Sequence, residues 1–208
     1  MPGIVIVVSF LLISCGGGGG TGGSGTPSPP ASATAAPTSS SGQTPPPGNG
    51  TPAAKDKQVF VTERDFAPNE GIAAADALCN DEAKDFLSGT FAAYLSTDGD
   101  SALARIGEGP WYVRTTLLGT KDDLAHDTLR TPILSVTGKS PGKGTQVWTG
   151  TVSGGTASTT AAATCRSWTS NASTDEATIG QLDYPNAGWT ASDTVTCQGF
   201  HSVYCFEK

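Results

Sequence analysis

Five cysteines carry the most distinctive chemistry in this 208-residue chain, and one of them stands apart from the other four. Cys15 ends an apolar run and is followed at once by five glycines. A glycine tract loses too much backbone entropy on folding to pack around a core cysteine. We therefore expect Cys15 to serve chemistry at the end of the chain rather than packing.

The residues before Cys15 resemble a bacterial lipoprotein signal. Residues 4–14 (IVIVVSFLLIS) form an uncharged apolar run, too short for a bilayer span of roughly 20 residues but of the right length for a secretion signal. Residues 12–15 (LISC) are similar to the lipobox, which implies cleavage of residues 1–14 and a lipid on the new N-terminal cysteine. The alternative is an ordinary secretion signal whose cysteine is incidental.

A lipid on Cys15 would anchor the chain to a bilayer without spanning it. In Gram-negative lipoproteins, an Asp after the lipidated cysteine resembles an inner-membrane retention signal, and this chain has Gly16 there. The sequence therefore favours the outer membrane, with the folded part periplasmic or surface-exposed.

Composition divides the remaining chain into a linker and one domain. Residues 15–56 are rich in Gly, Ser, Thr, Pro and Ala, and such a stretch cannot bury enough surface to offset chain entropy, so we expect a disordered tether. Residues 57–208 carry the aromatic and charged side chains and suit a single core. The net charge of −7 argues against nucleic acid as a partner.

Periodicity predicts an α+β domain. Residues 67–87 have apolar positions at helical spacing, with Asn69 as the cap and Ser88 and Gly89 as the stop, and residues 121–129 suggest a second, shorter helix. Alternating or short apolar runs predict strands at residues 58–63, 90–97, 110–115, 132–136, 145–151, 163–170, 194–198 and 201–207.

The four cysteines of the domain are candidates for disulfides or for a metal site. Secretion places them in an oxidising environment, which favours two disulfides, and no C-x-x-C pair provides the spacing of a zinc site. Four cysteines allow three pairings, and spacing alone does not choose among them.

Several motifs, taken in order, resemble known domains: FLSGTFAAYLST, GPWYVRT, TKDDL, VWTGT, CRSWTS and CQGFHSVYCFEK. Over residues 58–207 they are similar to the endostatin domain of collagen XVIII, and more so to an uncharacterised domain family of bacterial lipoproteins. The resemblance implies a C-type lectin-like fold, whose chain ends meet and whose cysteines pair in a nested manner. Carried over, it implies that Cys79 pairs with Cys205 and Cys165 with Cys197.

Tryptophans and a polar loop provide the candidate binding residues. Trp111, Trp148 and Trp168 are expected in the core. Trp189 lies in a long polar loop near Tyr184 and Asn186, where it would either stack on a sugar ring or pin the loop to the domain. These last three residues form the predicted ligand-binding set.

Sugar-binding C-type lectins hold calcium through Glu-Pro-Asn and Trp-Asn-Asp motifs. This chain has Tyr-Pro-Asn at residues 184–186 and no Trp-Asn-Asp. Asp183, Asn186 and Asp193 are the available oxygen ligands in that loop, although their spacing matches no known calcium loop. The prediction is therefore that no cofactor is required.

Catalysis is not expected. Asp122 and His126 lie four residues apart on one predicted helical face, which is either a metal-binding pair or an ordinary solvated surface. The second histidine, His201, falls in the last predicted strand, and no nucleophile elbow, HExxH helix or phosphate-binding loop is present.

These observations together predict a non-enzymatic cell-envelope lipoprotein that presents a C-type lectin-like domain for binding or adhesion. A glycan, an extracellular-matrix component or another envelope protein would be its ligand. The alternatives are a structural envelope protein with a protein partner, and a metal-assisted hydrolase built on Asp122 and His126.

Overall fold

The computed structural model describes residues 56–155 and 163–208 of the chain. The predicted signal peptide, Cys15 and the predicted linker up to residue 55 lie outside these residues. The described residues fall in one compact unit. Every helix within this described part is too short or too polar to cross a membrane.

The described residues form eight strands and four short helices. The strands are β1 (Lys57–Val61), β2 (Phe91–Ala93), β3 (Trp111–Val113), β4 (Thr116–Gly119), β5 (Gln146–Trp148), β6 (Glu176–Gln181), β7 (Asp193–Thr196) and β8 (Ser202–Glu207). The helices are α1 (Ile72–Ala83), α2 (Ala102–Arg105), α3 (Lys121–Ala125) and α4 (Cys165–Trp168), and 3₁₀ turns occupy Ser153–Gly155 and Ala187–Trp189. The predicted α+β class is confirmed.

The strands form one mixed sheet with the order β4-β3-β1-β8-β5-β6-β7, and β2 also pairs with β8. The pairs β1–β3 and β5–β8 are parallel, and the other pairs are antiparallel. The C-terminal half of β8 pairs with β1 and β2, whereas its N-terminal half pairs with β5. The first and last described strands are therefore neighbours.

Helix α1 is shorter than its sequence pattern suggests. It begins at Ile72, with Gly71 as N-cap at a φ of 85°, and ends at Ala83. The predicted cap at Asn69 is wrong, because the preceding residues form a separate turn in which the Glu70 N–H donates to the Ala67 carbonyl (3.1 Å). Gly71 then redirects the chain through a conformation that L side chains rarely adopt.

Two predicted strands are absent from the sheet. Residues 132–136 contribute only an isolated bridge, between Val61 and Ser135. Residues 163–170 form α4 instead, a tight turn in which four consecutive residues, from Cys165 to Trp168, have positive φ values between 48° and 66°. Each such residue costs roughly 1–2 kcal/mol, so the turn depends on its tertiary contacts, among them the Arg166–Asp175 ion pair at 2.7 Å.

Both disulfides have the pairing that the resemblance implies. Cys79 in α1 is bonded to Cys205 in β8 across 126 residues, and Cys165 is bonded to Cys197 across 32 residues. All four cysteines are fully buried. The long bridge fixes the helix to the central strand, and the short one closes the segment that contains β6 and β7.

The core lies on both faces of the sheet. One cluster lies beneath α1 and contains both disulfides with Trp148 and Trp168. The other contains Trp111 and Trp189 together with Tyr94, Tyr204 and Phe206. All four tryptophans are fully buried, which confirms the core positions predicted for Trp111, Trp148 and Trp168.

Removing either disulfide should destabilise the domain, and the long bridge should matter more. Closing loops of 126 and 32 residues is worth roughly 5 and 4 kcal/mol in the chain-entropy model. We expect C79A/C205A to lower the melting temperature more than C165A/C197A, as measured by circular dichroism on the full chain. Cys15→Ala is the matched control and should leave it unchanged. An unchanged melting temperature after full reduction would contradict this account.

Two buried tyrosines offer a second test. The Tyr204 hydroxyl donates to the Trp189 carbonyl (2.9 Å), whereas the Tyr94 hydroxyl has no hydrogen-bond partner among the described residues. An unpaired buried hydroxyl costs free energy that its removal recovers. In urea unfolding we expect Tyr94→Phe to raise the free energy of unfolding by about 1 kcal/mol and Tyr204→Phe to lower it by about 1 kcal/mol. A loss of stability in Tyr94→Phe would show that this hydroxyl is paired.

Candidate functional site

The loop between β6 and β7 turns its two large aromatic side chains in opposite directions. Trp189 is fully buried, whereas Tyr184 keeps 44% of its surface exposed. The predicted ligand-binding residues Tyr184, Asn186 and Trp189 therefore occupy three different environments. Each environment limits what its residue can do.

Trp189 pins the loop to the domain, which is the alternative that the sequence left open. Its ring lies 5.0 Å from that of Tyr94 and 5.5 Å from that of Tyr204, measured between centroids. The neighbouring strand also packs tightly on it, because a Cβ at Gly180 would lie 1.7 Å from the Trp189 carbonyl oxygen. With its ring enclosed in this way, the indole is not available to stack on a sugar.

Asn186 is exposed, and its side chain shapes the loop. It is the N-cap of the 3₁₀ turn Ala187–Trp189, and its side-chain oxygen accepts from the Gly188 N–H at 3.1 Å. This local bond holds the turn that carries Trp189 inward and places Gly188 under the ring of Tyr184.

The ring of Tyr184 rests on a glycine. A Cβ at Gly188 would lie 2.8 Å from the Tyr184 Cγ, a distance that real Cβ atoms do not show. Gly188 therefore permits close packing of backbone against the aromatic ring. The Tyr184 N–H also donates to the Gln181 carbonyl (3.3 Å). Tyr184 is therefore held by a residue that precedes it in the chain, Gln181, and by one that follows it, Gly188.

Tyr184 lines a cleft of about 190 Å³, which we name the Tyr184 cleft. Its lining is mainly apolar and comes from two segments, Leu129–Pro132 and Leu182–Pro185. The Leu129 N–H donates to the Pro185 carbonyl (3.3 Å) and ties the two segments together. The Arg130 N–H donates to the Leu118 carbonyl (3.0 Å), which attaches the first segment to β4.

The rim of the cleft carries one charge of each sign. The Arg130 guanidinium donates to the Asp123 carboxylate at 3.0 Å, and Asp123 in turn belongs to a capping box with Thr120 at the start of α3. A hydrogen bond from the Thr120 backbone, assisted by Arg130, lowers the pKa of Asp123. On the opposite side, Asp183 accepts from the Gly144 N–H at 3.4 Å.

The three oxygen ligands considered for calcium are engaged at separate places. Asp183 contacts Gly144, Asn186 caps its own turn, and Asp193 in β7 accepts from the N–H of the next residue at 2.8 Å. Among the described residues, no group of three or more His, Cys, Asp and Glu side chains is placed to hold a metal ion. The loop does not assemble a cation site from these residues.

Asp122 and His126 do lie on one face of α3 and its C-cap. The His126 Nδ1 is 3.5 Å from an Asp122 carboxylate oxygen and 2.9 Å from its backbone carbonyl, and both side chains are largely exposed. His201 is separate from them, packed edge-on against Trp148 at 4.5 Å, and burial lowers its pKa. The geometry at Asp122 and His126 is that of a solvent-exposed side-chain contact on a helix.

Sequence reasoning found Tyr184 and Asp183 but not the other half of the cleft. Residues 129–132 contact them only through the tertiary fold, which no local sequence pattern indicates. A glycine at position 188, four residues from an exposed tyrosine, is the one local signal of a packed aromatic platform.

Neither protein-family models nor curated protein sequences provide a match to this chain.

The Asp123 anchor predicts a pH dependence. Because its pKa is lowered in the fold, its stabilising contribution is present above the ordinary Asp pKa of about 3.9 and is lost as the pH falls through the lowered value. We expect Asp123→Asn to be less stable than the wild type at pH 7, with the difference shrinking as the pH falls below about 4. Urea unfolding across this range measures it.

Asp122→Asn is the matched control for that experiment. Asp122 is adjacent but 87% exposed and lies outside the capping box, so its replacement should change stability little. A pH-independent difference between the wild type and Asp123→Asn would contradict the role assigned to the carboxylate.

Proposed function

We propose that this chain is a lipid-anchored envelope protein whose folded domain is a non-enzymatic recognition module that binds a saccharide at the Tyr184 cleft. The observation that carries the proposal is an exposed aromatic ring, fixed against Gly188, beside an apolar floor and between charges of opposite sign. A C-type lectin-like architecture is part of the proposal. The nested disulfides and the pairing of β1 with β8 support it.

The cleft suits a pyranose ring with an apolar substituent. One face of a sugar ring carries mostly C–H groups, which pack on the flat face of an aromatic side chain such as Tyr184. Leu129, Pro132 and Leu182 then provide an apolar surface for a methyl group. An N-acetylated hexosamine offers both parts, a ring to stack and an acetamido methyl to bury.

Sugar hydroxyls require both donors and acceptors at the rim. Arg130 supplies N–H donors in a fixed plane, and its contact with Asp123 holds that plane in position. Asp183 supplies carboxylate oxygens as acceptors. The arrangement needs no metal ion, so binding is expected to be independent of calcium.

The small size of the cleft predicts weak binding at one site, which anchoring of many copies to one membrane would compensate. A volume of about 190 Å³ lies below the usual range of ligand pockets, roughly 300–1,000 Å³, so one site should bind weakly. Many copies anchored to one membrane through a lipid on Cys15 would bind a polymer with avidity. The proposed outer-membrane location and the proposed ligand class therefore support each other.

The test uses the full chain and soluble N-acetylglucosamine oligomers, with binding followed by calorimetry in buffer containing EDTA. We expect Tyr184→Ala to weaken binding at least tenfold, because it removes the stacking surface. Tyr184→Phe keeps the ring and should bind within about twofold of the wild type. Phe86→Ala removes a different exposed aromatic and should change nothing.

Equal binding by the wild type and Tyr184→Ala would exclude this cleft as the site. A requirement for calcium would also contradict the proposal. If no glycan binds while envelope proteins crosslink to the intact chain, the structural alternative replaces it. Loss of a hydrolytic activity in His126→Ala would instead favour an enzyme.

A further inference from the structure

We infer that a second cleft next to the Tyr184 cleft binds the neighbouring sugar residue of the same glycan through hydrogen bonds, without an aromatic stacking surface. This inference rests on the proposed function, because it extends the ligand from one ring to two or more. The second cleft, named the Ser202 cleft, has a volume of about 320 Å³ and is lined chiefly by hydroxyl side chains: Thr62, Ser135, Ser140, Thr145 and Ser202.

The topology of the sheet creates this cleft. On one side of β8, the pairing with β1 ends at Val61 and Tyr204, whereas on the other side the pairing with β5 begins at Val147 and Ser202. The chain that follows β1 stays attached to β8, because the Thr62 N–H donates to the Val203 carbonyl (3.0 Å) and Phe66 is bridged to His201. Ser202 therefore lies between the segment that follows β1 and the residues that precede β5. Residues from 135 to 145 complete the lining of the cleft, with Ser135 bridged to Val61.

The floor of the Ser202 cleft carries hydroxyls that are almost completely buried in the domain. Thr62 is 1% exposed, and its hydroxyl oxygen accepts from the Val203 N–H at 3.0 Å, which leaves its O–H free to donate. Ser202 is 6% exposed and lines the cleft, and its hydroxyl is not one of the buried polar atoms that lack a partner among the described residues. A hydroxyl that reaches the cleft in this way can both donate to a ligand hydroxyl and accept from one.

The rim of the same cleft carries Glu63 and Lys139. The Glu63 carboxylate accepts from the Thr137 hydroxyl, and the Lys139 backbone N–H donates to the Ser135 hydroxyl (3.2 Å), so each residue is held by a contact of its own. Within the described residues, Glu63 and Lys139 form no ion pair with each other. A vicinal diol fits between such groups, because one hydroxyl donates to the carboxylate and the next accepts from the ammonium.

The two clefts share a wall. The Leu182 N–H donates to the Thr145 carbonyl (3.3 Å), and Asp183 accepts from the Gly144 N–H (3.4 Å). Leu182 and Asp183 line the Tyr184 cleft, and Thr145 lines the Ser202 cleft. A chain that leaves the first cleft over this wall therefore enters the second.

The chemistry of the two clefts is complementary. The lining of the Ser202 cleft contains no aromatic residue among those described, so it offers hydrogen bonds but no stacking platform. The occupant is a neutral sugar residue, since the rim charges are of opposite sign. A zwitterionic peptide would compete for the same groups.

The experiment compares N-acetylglucosamine with its dimer, trimer and tetramer, measured by calorimetry on the full chain. We expect the wild-type affinity to rise at least tenfold from the monomer to the tetramer. Lys139→Ala and Ser202→Val should abolish this gain and leave the affinity for the monomer unchanged. Lys143→Ala is the matched control, since it lies in the same loop outside the cleft lining, and it should keep the full gain.

The possible results separate the two proposals. If Tyr184→Ala loses binding while Lys139→Ala and Ser202→Val keep the length-dependent gain, the second cleft is overturned and the proposed function stands. If the wild type binds no sugar of any length, both fail. If a Glu-Lys dipeptide displaces the tetramer only from the wild type and not from Lys139→Ala, the occupant is a peptide and the glycan subsite is overturned. Since Lys139 is an exposed side chain, its replacement does not threaten folding.

Discussion

Strand β8 is the constraint on which the rest of the domain depends. All six of its residues are buried, and it pairs along its length with three other strands while Cys205 bonds it to α1. A strand covered on both faces has no solvent side to tolerate a shift of register, because a slip of one residue would exchange every side chain between the two cores. The charged residue at the end of the strand also contributes, since the Glu207 carboxylate accepts from the Gln58 N–H of β1 at 2.8 Å.

The clefts follow from how β8 divides its neighbours. β1 and β2 pair with the C-terminal half of the strand and β5 pairs with its N-terminal half, so the segment after β1 and the residues before β5 lie on opposite sides of Ser202. The segment between α3 and β5 lies against this part of the sheet, and it does so without a strand or helix over residues 129–145. Such a segment is fixed by single hydrogen bonds to surrounding loops, so it leaves grooves on both of its sides. The position of both clefts is thus a property of the topology.

The sequence predicted the elements whose signals are local. The alternation in β1 and β8 and the helical spacing in α1 were sufficient, and the resemblance supplied the disulfide pairing. The turn at Cys165–Trp168 was missed because its apolar content is typical of a strand, while its left-handed backbone is imposed by Cys197 and Asp175, which are distant in sequence. Strands β4 and β6 were also missed, since TLLG and EATIGQ lack clean alternation. The same limit applies to the site, where Arg130 reaches the Tyr184 cleft only through the fold.

The loop that carries Tyr184 illustrates how burial of one aromatic prepares another for binding. Hydropathy does not distinguish Tyr184 from Trp189, because both lie in the same polar stretch. The fold separates them: Trp189 is held inward by Tyr94 and Tyr204, and the turn capped by Asn186 then brings Gly188 beneath the ring of Tyr184. A ring positioned before the ligand arrives loses little entropy on binding, and that saving matters most where the contact area is small. In the proposed function, the buried tryptophan therefore contributes to recognition without touching the ligand.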